Sequence, residues 1–79
     1  MTYEECKNQL LKKYSDSKVT GSFKTSSGYV FSIKPKSWRD DEVVLGSMFK
    51  VSFDGRKIEE YAPYLNRKEF LHGLDNPIE

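Results

Sequence analysis

Hydrophobic residues recur at helical spacing from Thr2 to Tyr14. Tyr3, Cys6, Leu10 and Tyr14 fall on one face, with Leu11 beside them. Thr2 followed three residues later by Glu5 matches a capping box, which satisfies two orphan donors at a helix start. Glu4 and Glu5 lie early and Lys12 and Lys13 late, as the helix dipole favours. The apolar stripe is narrow, which predicts a helix laid across one face of a sheet. Ser15 to Gly21 is polar and ends this helix. Ser22 to Thr25 reads as a short edge strand, and Ser26-Ser27-Gly28 as a turn.

The period then drops to two. Tyr29, Phe31 and Ile33 share one face of a strand, Ser32 and Lys34 lie on the other, and Pro35 stops its ladder. After the charged segment Pro35 to Glu42, a second β-rich stretch runs from Val43 to Tyr61 around Asp54-Gly55, the dipeptide of a tight hairpin. If those two residues form the loop, Val51 faces Ile58 and Lys50 faces Glu59. That gives an apolar pair on one face and an ion pair on the other. Phe49 and Phe53 extend the Val51 stripe, with Glu60 and Arg56 less well suited opposite them. A lone hairpin is marginal in water, so this ribbon calls for a third strand and a cover. Ala62-Pro63 ends the last strand. Leu65 opens a short second helix, in which Asn66 and Glu69 have capping-box spacing and Leu65 and Phe70 the spacing of a hydrophobic staple. Gly73 is placed to stop that helix, and Asn76-Pro77 closes the chain.

The predicted fold is α+β: an N-terminal helix packed on an antiparallel meander of three to four strands, with a short C-terminal helix. We expect two layers and one domain over residues 1–79. A chain this short buries about 60–65% of its unfolded surface, which leaves no room for a deep enclosed active site beside a core. The N-terminus is polar and acidic early, unlike a signal or transit peptide, and no apolar run approaches the roughly 20 residues of a membrane helix. A cytoplasmic protein is the expectation.

Composition narrows the chemistry. The single cysteine, Cys6, excludes an internal disulfide and a Cys-rich zinc site, and its place in the helical stripe makes it a small core residue. The single histidine, His72, lies near a helix end, where the dipole favours it, and nothing groups it with a nucleophile. Asp40-Asp41-Glu42 could offer oxygen ligands to a cation. Adjacent carboxylates on an extended chain diverge, however, so the run reads as solvated. The glycines form no phosphate-cradling motif. We therefore expect no enzyme, no cofactor and no metal.

Two binding readings remain. Lys24, Lys34, Lys36 and Arg39 lie near Tyr29, Phe31 and Trp38, a mixture that base-stacking sheets use, so a small nucleic-acid-binding domain is the alternative. Against it, thirteen Lys and Arg are balanced by twelve Asp and Glu, and the acidic run at Asp40 repels phosphate. The favoured reading is a protein-binding module. Trp38 stands in a charged connection, Lys36-Ser37-Trp38-Arg39-Asp40-Asp41, and Trp and Arg are enriched where interfaces carry their binding energy. The competing reading has Trp38 folding back to cap the sheet. Lys36, Trp38, Arg39, Asp40 and Asp41 are the candidate partner-binding residues.

The capped helix, then Gly28-Tyr29-Val30-Phe31, Gly46, and Asp54-Gly55 with Ile58 give an order that resembles small bacterial immunity domains of the YrhB-like kind. The resemblance covers Tyr3 to Tyr61, leaves the C-terminal helix unmatched and transfers no catalytic residues. It implies a cytosolic protein that binds and neutralises a toxin partner; a bacterial or phage inhibitor is the narrower form of the expected protein-binding module.

Overall fold

Helix α1 spans Tyr3–Lys13, and its N-terminus is closed by the expected capping box. The Glu5 amide donates to Thr2 Oγ1 at 3.2 Å, and the Thr2 amide donates to Glu5 Oε1 at 3.0 Å. In this computed structural model residues 2–37 and 47–78 are described. Among them no helix is long and apolar enough to cross a membrane.

The four strands are β1 (Ser17–Lys24), β2 (Gly28–Pro35), β3 (Ser47–Ser52) and β4 (Ile58–Glu60), in an antiparallel sheet of order β1-β2-β3-β4. Helix α2 follows at Arg67–Asp75. The architecture is the expected α+β meander with a helix before and after it. The expected start of the third strand, Val43 to Gly46, lies outside the described residues.

The hairpin register is as the sequence implies, with Val51 opposite Ile58 and Lys50 opposite Glu59. The loop is wider than the two residues expected. Ser52 and Lys57 close it, the Gly55 amide donates to the Ser52 carbonyl at 2.8 Å, and Gly55 takes a left-handed φ of 72°. Four-residue loops built on such a turn keep the same register as two-residue ones. Asp54 Oδ1 fastens the turn, accepting from Ser52 Oγ at 2.6 Å and from the Arg56 amide at 3.0 Å. The Glu59 carboxylate meets Lys57 Nζ at 3.4 Å, so the cross-strand ion pair expected with Lys50 is replaced by one along its own chain.

Strand β1 is twice as long as the expected Ser22 to Thr25. A bulge explains why it was concealed: Val19 pairs with Ile33 but Gly21 pairs with Ser32, leaving Thr20 as the extra residue. Its hydroxyl donates to the Ser32 carbonyl at 3.2 Å. The bulge changes which face the following residues occupy. Val19 joins the α1 side, and Phe23, four residues on, joins the opposite side.

The sheet is therefore covered on both faces, and the fold has three layers rather than the expected two. On one face Cys6 and Leu10 of α1 pack against Phe31, Ile33, Phe49 and Val51. Tyr3 stacks on Phe31 and Tyr14 on Phe49, with ring centroids 5.4 and 4.7 Å apart. On the other face Phe23, Val30 and Tyr61 form a second core, with Met48 and the α2 residue Phe70 against it.

Gly73 lies inside α2 and does not stop it. A Cβ at that position would overlap the Phe23 ring, so glycine serves close approach here. The expected cap of α2 is also absent. The Asn66 side chain makes no cap bond, Leu65 is 73% exposed, and Glu69 accepts instead from the Tyr61 hydroxyl at 3.0 Å. Beyond α2 the chain crosses the outer edge of β1, where the Ile78 amide donates to the Ser22 carbonyl at 2.9 Å.

Candidate functional site

Of the residues expected to bind a partner, Trp38, Arg39, Asp40 and Asp41 lie outside the described residues, as does Glu42 of the acidic run. Lys36 is described. It follows β2, its side chain is exposed, and its amide donates to the Asp16 carbonyl at 2.7 Å. That bond ties the end of β2 to the segment before β1, so the connection to Trp38 leaves from a fixed point.

Among the described residues, Lys24, Lys34, Tyr29 and Phe31 of the nucleic-acid alternative do not form one open stacking surface, while its Trp38 and Arg39 lie outside the described residues. Phe31 is fully buried under α1, and Tyr29 meets Tyr3 edge-on with ring centroids 5.4 Å apart. Lys34 is 8% exposed, and Lys24 Nζ lies over the Phe53 ring. Helix α1 occupies the face that bases would stack upon.

Cys6 and His72 lie on opposite sides of the sheet, which rules out a Cys-His pair. Cys6 is buried, with Sγ 3.6 Å from the Ser52 carbonyl, and desolvation raises its thiol above the ordinary range, which disfavours the thiolate. His72 lines an open cleft between α2 and the β1–β2 turn, together with Lys24, Thr25, Glu69 and Asn76. The Thr25 hydroxyl in that cleft donates to the Gly28 carbonyl at 2.9 Å and accepts from the Ser27 and Gly28 amides. It is a turn fastener. Burial, then the bond to Glu69, raises the Tyr61 phenol well above its usual value and keeps it a neutral donor. Among the described residues, no three His, Cys, Asp or Glu are grouped to hold a metal.

The surface feature that the sequence reading passed over is apolar. Tyr64, Leu65, Leu71, Leu74 and Ile78 are 82%, 73%, 50%, 57% and 43% exposed, and all fall within the lead-in to α2, the helix and the residues after it. Leu74 also borders a small apolar groove of about 120 Å³ with Phe23, Met48 and Pro77. The signal was present in the sequence. A short helix with Phe70 and Gly73 on one side and Leu71 and Leu74 on the other is apolar on two sides, and a single core can bury only one of them. Clustered exposure of this kind marks contact surfaces, whereas scattered single residues do not.

Comparison with protein-family models, curated proteins and solved structures finds no match to this chain.

Proposed function

We propose that this chain is a non-enzymatic, cytoplasmic protein-binding module that acts by holding another protein. The observation that carries this reading is the set of large apolar side chains from Tyr64 to Ile78 left open to solvent, in a domain whose sheet is already covered on both faces. Loops anchored on a rigid sheet are a common place for binding residues. Lys36 is held by its backbone bond to Asp16, and the Trp38-Arg39-Asp40-Asp41 stretch that follows supplies an aromatic anchor with both signs of charge. An inhibitory, toxin-neutralising role is the narrower form of the proposal and rests on the sequence resemblance alone.

The test uses Trp38→Ala. Partners captured by the parent chain are identified by mass spectrometry, and the purified pair is then titrated. An anchor role predicts affinity weakened by about 2 kcal/mol or more with an unchanged melting temperature. A large fall in melting temperature, with the folded fraction binding as tightly as the parent, would reject the anchor. Salt-sensitive retention of RNA or DNA in a gel shift, with no protein captured, would reject the protein-binding reading itself.

A further inference from the structure

We infer that the outer face of α2 docks against the same face of a second copy of this chain, antiparallel about a two-fold axis. The inference rests on reading the exposed apolar side chains as a contact surface, and it names the occupant of that surface. Residues three, four and seven apart share one side of a helix. Along the outer side of α2 the order is therefore Arg67 and Lys68, then Leu71, then Leu74 and Asp75. The side towards the sheet is taken up by Phe70 and Gly73 against Phe23, with Leu74 at the border between the two sides.

The charge order on that outer side is reversed for the helix itself. Cations lie at the end where the dipole is positive, and Asp75 lies where it is negative. The acid of the first turn, Glu69, is turned towards the Tyr61 hydroxyl. Arg67, Lys68 and Asp75 have no ion-pair partner among the described residues. An antiparallel copy turns each of these mismatches into a match. Arg67 and Lys68 then face Asp75 of the second copy and the negative end of its helix, while Leu71 meets its own copy at the axis with Leu74 beside it. A self-complementary patch of this kind is what a two-fold interface requires. A nucleic acid would be repelled by Asp75, and a partner of single-sign charge would be opposed at one end. The helix has nine residues, so the interface falls at the small, weak end of specific contacts, below about 1,200 Å².

Sedimentation equilibrium of the full chain up to about 1 mM, a range that detects weak pairing, is expected to give a reversible monomer–dimer equilibrium. Asp75→Lys makes the outer face wholly basic, and Arg67→Glu with Lys68→Glu makes it wholly acidic. Each should weaken self-association at least about ten-fold, the loss of a paired charge at both ends. Mixing the two variants should restore a dimer containing one of each. All three positions are exposed, so melting temperatures close to the parent's should accompany these results.

A parent chain that stays monomeric up to that concentration overturns the inference, as does a dimer indifferent to the charge exchange. The underlying reading fails separately. If the parent is monomeric but Leu71→Asp abolishes capture of a different protein while melting normally, the face is a contact surface for that protein and self-docking is wrong. If Leu71→Asp alters neither self-association nor capture, both fall.

Discussion

Gly73 sets two local effects against each other. Glycine inside a helix costs roughly 1 kcal/mol relative to alanine, so Gly73→Ala gains that much from the backbone. The new methyl would overlap the Phe23 ring, which is held edge-on by Tyr61 and Phe70 at centroid distances of 5.8 and 6.2 Å. Overpacking a filled site costs about 1–3 kcal/mol, and the methyl would fall on the body of the ring rather than on a flexible tip. The overlap should win, and Gly73→Ala is expected to destabilise by up to about 2 kcal/mol in a thermal or urea melt. Combining it with Phe23→Leu should cost less than the sum of the two changes, because the smaller side chain makes room. A Gly73→Ala variant more stable than the parent would show that α2 does not press against Phe23.

Among the elements, α1 and the β3–β4 hairpin were legible in the sequence, and of β1 only the end near Ser22 was. The capping box of Thr2 and Glu5 and the pairing of Val51 with Ile58 are local and periodic, and periodicity survives folding unchanged. Strand β1 breaks its own period at Thr20, so Val19 and Phe23 look like one face yet serve two cores. The second core was hidden for a related reason. Val30 lies between Tyr29 and Phe31 and Met48 beside Phe49, so each is overshadowed by the stripe of the other face, and with Tyr61 they meet only across strands. Of the candidate site, the outer face of α2 is hidden in the sequence because Gly73 reads as a stop, whereas the connection after Lys36 stands on composition alone. The bulge also carries a prediction. Deleting Thr20 joins Val19 to Gly21 and leaves every other β1–β2 pair as it is. The variant should keep Phe23 facing α2 and lose no more than about 1 kcal/mol, the worth of the Thr20 hydroxyl's bonds. A Phe23–Phe70 proton contact seen by NMR would confirm the face, and its absence in a folded variant would reject this account of the bulge.

Over the whole molecule, acid is expected to undo what the turns and caps hold. Glu5 has its carboxyl lowered chiefly by the Thr2 amide, and Asp54 chiefly by the Ser52 hydroxyl. A carboxyl whose folded value is depressed lends stability above its unfolded value and loses it as pH falls through the folded one. Melting temperature should therefore hold from neutrality to about pH 5 and decline below about pH 4. Protonating the twelve acids also leaves thirteen Lys and Arg unopposed, which adds self-repulsion to the loss. Melts of Asp54→Asn across this range should show a shallower decline than the parent, and an equally steep one would remove the hairpin turn as a contributor. The strap of chain after α2 has a bearing on solubility. An eight-residue strand such as β1, open along one side, would be a template on which foreign strands could grow a fibre. With Ile78 bonded at Ser22 and a bulge at Thr20, that template is interrupted twice within three residues, so the sheet ends where its own chain closes it off.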